Sequence, residues 1–486
     1  MNMVMQSYQK FSCKGTKIID QYGREVIFRG ASLICKEKEK NYYDNWTDED
    51  FNVLKQMGTT LIRLGIFWDG IEPKPGIYSQ AYLEQLDKLI ETVSKHNMYV
   101  YLDMHQDLYG ANMSDGAPEW ATLTDGFENQ VLSNLWSDAY ITSDAVQAAF
   151  DNFWADKKAE DGIGIQTHYV NMWEMLFERY KDNVAVIGYD VMNEPFIGSP
   201  AKEVFGRILA TYGAEKLPDL PVEELGALWL NPDVKEDILG SLGDIDLYRK
   251  VLASFEELCI AYDKNCYNPF MKRISQVLRR HSKDQFLFME ANYFCNMGVR
   301  SGIEDIDGVN LIFSPHGYDL VTDTPYVAYP NNERVSLIFE NHRSTQERLN
   351  VPIIVGEWGA YDSHENTEPA AEYIFNIYEK YGWSDSFWSY IRGMEKWPCF
   401  KVLSKSYPYS ISGELLNYHY DYKNGSFSLA YKKTIDADTI LFASDLKRAY
   451  EALKDQYECS IQEISENKGY LSLRGGDIGS VQSIVW

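Results

Sequence analysis

Short aliphatic and β-branched runs alternate with amphipathic helical stretches through most of the 486 residues. This alternation restricts the chain to an α/β fold built on a parallel sheet. Residues 25–33 (EVIFRGASL), 60–66 (TLIRLGI), 99–105 (YVYLDMH) and 185–193 (AVIGYDVMN) read as strands. So do 285–291 (QFLFMEA), 309–316 (VNLIFSPH), 352–358 (PIIVGEW) and 386–390 (SFWSY). Eight strands is the count that closes a (β/α)8 barrel. The stretches between them carry helical stripes. Thr47 and Asp50 have the spacing of a capping box ahead of Phe51, Leu54 and Met57, and Gly58 stops that helix. Tyr82, Leu86, Leu89 and Val93 form a second stripe, and residues 168–180 and 370–381 read likewise. Two connections, 107–165 and 195–262, are too long for simple βα loops. Both leave the carboxyl ends of strands, where barrel enzymes keep their sites.

Beyond Tyr407 and Pro408 the pattern changes. Residues 418–433 alternate with period two about Asn424-Gly425, a hairpin signal, and further strand-like segments follow. One helical stretch, 445–457, interrupts them. The expected organisation is an α/β chain with a (β/α)8 TIM barrel over 1–412 and a small β-rich, sandwich-like accessory domain over 413–486.

Composition narrows the function classes. A formal charge of −26 repels phosphate backbones and anionic headgroups, which argues against nucleic-acid partners and favours a neutral or weakly charged ligand. Aromatic residues reach 14%, with 35 Tyr and 12 Trp, and such rings suit sugar faces and apolar clefts. The seven cysteines are scattered, with no CxxC or Cys/His cluster, so neither a zinc site nor a disulfide framework is expected. The first 20 residues contain no continuous apolar core, so no signal peptide is expected. The chain as written then reads as cytoplasmic, or as extracellular if a leader has been removed.

Two strands end in carboxylates. YDVMNEP delivers Asn193 and Glu194 at a strand's carboxyl end, and Pro195 stops the ladder there. PIIVGEWG places Glu357 at the end of an apolar run, which is costly unless partners meet the charge. On strands four and seven of one barrel, these groups face each other across the axis. Hydrolysis of a glycoside with retention needs two such carboxyls about 5–5.5 Å apart, one attacking the anomeric carbon and one protonating the leaving oxygen. Other strand ends carry Arg63, His105, His316, Tyr318 and Trp388. A buried Arg63 would hold the nucleophile ionised, and Trp388 suits a platform beneath a sugar.

The set Arg63, His105, Asn193, Glu194, His316, Tyr318, Glu357 and Trp388 resembles the active site of glycoside hydrolase family five, in clan A. The stretches LDMHQDLYG, GAPEWATLTDG, AFDNFWAD, GYDVMNEPF and SKSYPYSISGE resemble its endoglycoceramidase branch, in the same order. The resemblance covers about residues 17–415 and implies Glu194 as acid/base and Glu357 as nucleophile. It also implies sugar contacts from His105, Asp107, Trp154, Asn193, Tyr318 and Trp388, with Lys36 binding polar sugar groups. Family members need no metal or cofactor. The implied substrate is a glycosphingolipid, cleaved between glycan and ceramide, with transient contact to lipid aggregates or a membrane surface. The alternatives are a β-glucosidase or β-galactosidase acting on a monoglycosylceramide or sterol glucoside, a β-glucanase, and a non-catalytic lipid or glycan carrier. The 195–262 insertion, with its segment 216–230, either shapes a lipid groove or a lid or only decorates the barrel.

Overall fold

The computed structural model describes residues 8–130, 132–133, 135–306 and 308–486. Eight parallel strands form the barrel: Arg29–Leu33, Leu61–Ile66, Tyr99–Met104, Val186–Asp190, Phe286–Met289, Leu311–Phe313, Ile354–Val355 and Ser384–Phe387. They are called strands one to eight here. Neighbours in sequence are neighbours in space, and strand eight pairs with strand one. The Phe313–Ile353 bridge joins strands six and seven and completes the circle. Above this ring, His316–Gly317 pairs in parallel with Glu357–Trp358, which sets His316 directly opposite Glu357.

The period of two along each strand sorts side chains between two environments. Ile62, Leu64 and Ile66, and likewise Val100, Leu102 and Met104, pack outward into the core shared with the helices. Their neighbours point inward and change character along the barrel. At the amino-terminal end lie Leu61, Tyr99, Phe286, Ile312 and Ile354, followed by Tyr101 stacked on Phe288 at 4.2 Å. The next inward layer carries Arg63, Asp103, Asp190 and Glu290, all buried. The barrel is therefore closed by apolar side chains at one end and charged at the other.

Two antiparallel sheets share one core and cover the apolar end. The seven-stranded sheet runs Phe11–Lys14, Lys17–Asp20, Glu25–Val26, Tyr407–Ile411, Thr439–Ala443, Lys468–Arg474, Glu458–Ser465. The three-stranded sheet holds Gly413–Asp421, Ser426–Lys433 and Val481–Val485, with Asn424 and Gly425 in the turn of its hairpin. The expected boundary at 413 falls between the first strand of the three-stranded sheet and the Tyr407–Ile411 strand of the seven-stranded one. The single run expected over 25–33 is divided: Val26 pairs with Ser410, whereas Arg29 begins barrel strand one. Ile27 and Phe28, both fully buried, fill the space between. The helical interruption is the helix Leu446–Leu453.

The helix Asp48–Gln56 shows how local signals and the two-part packing agree. The Thr47 amide donates to Asp50 Oδ2 at 2.6 Å, as a capping box requires. Gly58 then adopts φ +76°, and a Cβ there would meet the Phe442 ring at 2.6 Å. The helix end is thus shaped by the accessory sheet as well as by backbone preference.

Phe442 is fully buried in this shared core. Phe442→Ala is expected to cost about 3–5 kcal/mol of unfolding free energy, measured by urea denaturation. A loss below about 1 kcal/mol would show that the sheets do not support the barrel floor.

Candidate active site

The inward charged layer is organised around Arg63, whose side chain is 0% exposed. Its Nη1 donates to Glu357 Oε1 at 2.5 Å, and its Nη2 donates to Asn193 Oδ1 at 2.8 Å and Glu290 Oε1 at 2.9 Å. Asp103 Oδ1 lies 3.0 Å from Nη2, and Asp190 Oδ2 lies 3.5 Å from Nε. One guanidinium therefore neutralises and orders a group of buried acids that would otherwise repel one another.

Glu194 and Glu357 rise above this layer into an open cleft, and an oxygen of each lies within 4.8 Å of the other. Their surroundings differ. Glu357 accepts from Arg63 at Oε1 and from the Tyr318 hydroxyl at Oε2, 2.9 Å away, so a donor meets each of its oxygens. Glu194 is buried and close to the charges of Glu357 and Asp107, which together lift its pKa to about 7 despite the opposing pull of His316. Its Oε1 accepts from Asn296 Nδ2 at 2.7 Å and from His316 Nδ1 at 2.9 Å. Oε2 is thereby left to carry the proton. Glu194 also has φ +43°, a conformation that ordinary side chains adopt at a cost, and its amide is held by Glu290 Oε2 at 2.6 Å.

His316 sits beneath both carboxyls. Burial acts to lower its pKa, but Glu290 and Glu357 outweigh that and push it well above the usual histidine value. Its Nε2 lies 3.2 Å from Glu290 Oε1. Glu290 in turn is held down at about 2, because His316 and Arg63 overcome the burial that would raise it. Gly356 precedes Glu357 because a Cβ there would meet Ser314 Oγ at 2.8 Å and His316 Nε2 at 2.9 Å.

The cleft has about 360 Å³ of volume, within the usual size of a ligand site. One end is polar and aromatic. His105 donates through Nδ1 to Asp103 at 3.0 Å and stacks on Trp388 with ring centres 5.2 Å apart. Burial would lower its pKa, but the Asp103 charge raises it to about 10. Lys36 is bonded to the Asp107 carboxylate and lies over Trp388, 5.0 Å from the ring centre. Asp107 is held at about 2 by Lys36 and His105 against the effect of burial. Asn193, positioned by its own bond to the Gln106 carbonyl at 3.0 Å, lines the cleft beside Glu194. The other end is apolar. Its walls come largely from the 195–262 insertion, through Phe205, Ile208, Trp229, Leu242, Val251 and Phe255. The insertion is a set of helices beginning with Ala201–Lys216 and continuing to Glu256–Tyr262, and it supplies much of the apolar lining of the cleft.

Of the residues singled out from the sequence, Lys36, His105, Asp107, Asn193, Glu194, Tyr318, Glu357 and Trp388 line this one cleft. Arg63 and His316 stand directly beneath it, bonded to its carboxyls. Trp154 stands apart from the cleft lining. Its indole donates to the Phe196 carbonyl at 2.8 Å and its ring packs on Tyr262 and Phe270. Sequence reasoning passed over Glu290, although QFLFMEA ends in a carboxylate just as PIIVGEW does. The structure separates them by exposure: both Glu290 oxygens are taken by protein donors, and only Glu194 and Glu357 face the cleft. Asn296 and Asp323, also missed, lie in connections without periodic signal.

Among the described residues, three acid-rich groups have the compactness of a metal site: Asp103 with Asp190 and Glu290, His105 with Asp107 and Asp115, and Glu194 with His316 and Glu357. Each already holds a protein cation. Arg63 sits in the first, Lys36 and a protonated His105 in the second, and a protonated His316 in the third.

A model of the family described as Cellulase (glycosyl hydrolase family 5) matches residues 19–393. Endoglycoceramidase of Cyanea nozakii is 30% identical over 210 residues, which cover 37% of this chain and 41% of that protein. Endoglycoceramidase I of Rhodococcus hoagii (strain 103S) is 24% identical over 456 residues, 89% of this chain and 79% of the relative. Among solved structures, endo-glycoceramidase II from Rhodococcus sp., in complex with a five-membered iminocyclitol, shares the fold. It has TM-score 0.73 and 22% identity over 99% of each chain.

The raised Glu194 carboxyl is directly observable. Difference infrared spectroscopy between pH 6 and 8 is expected to show a protonated carboxyl lost as pH rises through about 7. The band should be absent in Glu194→Gln. A band that persists unchanged in that variant would assign the proton elsewhere.

Proposed function

Because the chain belongs to glycosyl hydrolase family 5, we propose that it hydrolyses the β-linkage between glycan and ceramide in glycosphingolipids, with retention of configuration. One observation carries the reading. Two carboxyls with unlike hydrogen-bond partners, and with oxygens within 4.8 Å, stand where a polar aromatic pocket meets an apolar groove. A glycolipid has the same division at its glycosidic bond. The endoglycoceramidases among the relatives agree with this substrate class.

In this reading Glu357 attacks the anomeric carbon while the bond to the ceramide oxygen breaks. The Oε2 proton of Glu194 passes to that oxygen, and ceramide leaves. The glycosyl ester formed on Glu357 is then opened by water, whose proton returns to Glu194. Arg63 and Tyr318 hold Glu357 at the geometry of attack and accept its charge again when the ester breaks. Lys36, Asp107, His105 and Asn193 supply donors and acceptors to sugar hydroxyls, and Trp388 lies beneath the ring. The apolar insertion receives the lipid chains, and removing their surface from water contributes about 25 cal/mol per Å² to binding.

The roles separate kinetically. Glu357→Gln is expected to lose several orders of magnitude in turnover with the fold intact. Glu194→Ala should still form the ester on Glu357 from an activated aryl glycoside, whose leaving group needs no acid, and added azide should open that ester to a glycosyl azide of retained configuration, because azide needs no base. Glycosyl azide of inverted configuration from Glu194→Ala, or of retained configuration from Glu357→Ala, would reverse the assignment. In the native chain the acid works in its protonated form, so kcat/KM for glycolipid should fall as pH rises through about 7. An activity still rising at pH 9 would contradict the acid role. Mass spectrometry of products from a ganglioside, glucosylceramide and cello-oligosaccharides tests the substrate class. Intact glycan plus ceramide is expected. Release of monosaccharide alone, or preferential cleavage of cello-oligosaccharides, would overturn it.

A further inference from the structure

On the apolar side of the cleft stands a charged pair that the retaining chemistry does not use. Lys235, from helix Pro232–Ser241 of the insertion, bonds to Asp138 Oδ2 at 2.5 Å. Asp138 belongs to the other long connection, 107–165. Lys235 is 6% exposed and Asp138 4%, yet both line the cleft. Trp229 completes the group: its Nε1 donates to Asp138 Oδ1 at 3.3 Å, and its ring lies 4.9 Å from the Lys235 ammonium. Around them the wall is apolar, with Ile141, Ile208 and Leu242.

Burying two charges in an apolar wall costs more than their attraction returns unless further polar partners meet them. Apolar side chains would pack these helices together equally well. The position of the pair supplies a reason. Tyr293 lines the cleft: its amide donates to the carbonyl of Pro195, next to Glu194, at 3.0 Å, and its ring centre lies 4.5 Å from that of Tyr140, two residues beyond Asp138. The sequence along the wall is therefore acid/base, tyrosine, ion pair, then apolar groove. Glu194 marks the leaving oxygen, so the ion pair meets the first few atoms of the leaving group beyond it. Those atoms in a sphingoid lipid are an amide and a hydroxyl. In a simple alkyl or sterol aglycone they are hydrocarbon.

We infer that Asp138 and Lys235 recognise the amide and hydroxyl of the aglycone next to the glycosidic bond, making the enzyme selective for sphingoid over plain hydrocarbon leaving groups. The Asp138 carboxylate accepts from a hydroxyl or amide N–H. The Lys235 ammonium has three donors, more than one carboxylate occupies, and gives one to the amide carbonyl. The inference rests on the glycolipid reading above and adds to it the part of the lipid that is read.

The test uses matched substrates bearing one glycan, chosen as the one whose aryl glycoside the enzyme accepts. The glycan is carried on ceramide, on a long alkyl alcohol and on a nitrophenyl group. Native enzyme should prefer ceramide to the alkyl alcohol at least tenfold in kcat/KM. The paired variant Asp138→Asn with Lys235→Met should lower the ceramide value to that of the alkyl glycoside. The alkyl and aryl values should stay within about twofold, since neither offers polar atoms to the pair. Thermal denaturation of the variant, and the milder Lys235→Arg, which keeps the charge, show whether the fold is retained. Native enzyme that cleaves the aryl glycoside but neither lipid overturns the glycolipid reading and this inference together. Native preference for ceramide with a variant that loses all three substrates alike, or none, overturns the inference alone and makes the pair a latch between two connections.

Discussion

The site depends on one buried guanidinium. Arg63 lies at the centre of the barrel with oxygens of Asp103, Asp190, Glu290 and Glu357 within 3.5 Å of its nitrogens. Without it, the barrel interior would hold several unpaired carboxylates, which is several kcal/mol beyond what a fold of marginal stability tolerates. With it, the layer becomes a rigid base that fixes Asn193 and Glu357 from below. His316 adds a second positive charge on the other side, held by Glu290 and touching both cleft carboxyls. Two cations thus set the positions of two acids, and the acids differ because only one of them is met by Arg63.

That division of charge follows from the barrel's axial gradient. Apolar inward residues at the amino-terminal end merge with the core of the accessory sheets, so no water is needed there. Charge accumulates toward the carboxyl end, where the long connections open. The insertion after strand four then places an apolar wall beside a charged floor. Under the proposed function, that wall offers the leaving group a dry surface.

Much of this was legible in the sequence, and the boundary of legibility is physical. The eight strands were visible because buried parallel strands are nearly continuous apolar runs. Glu194 and Glu357 were visible because each interrupts such a run at its end. The same rule points to Glu290, and nothing local distinguishes a carboxylate consumed by Arg63 and a backbone amide from one facing a cleft. The pairing of Glu25–Val26 with Tyr407–Ile411 joins residues nearly 400 positions apart, and short antiparallel strands carry no record of their partner. The faces of the insertion helices also depend on tertiary docking, so its apolar wall could be posed as an alternative and not decided. Trp154, implied by the resemblance, packs its ring against Tyr262 and Phe270 outside the cleft lining.

The central claim is that Glu357 and Glu194 are close enough for direct attack on the sugar, with no room for a water between nucleophile and anomeric carbon. The most direct measurement is the configuration of the first-formed product, followed by proton NMR before mutarotation. The account predicts a β-anomer from a β-glycoside. An α-anomer as the first product would mean single displacement by water, and the arrangement of the two carboxyls described here would be wrong.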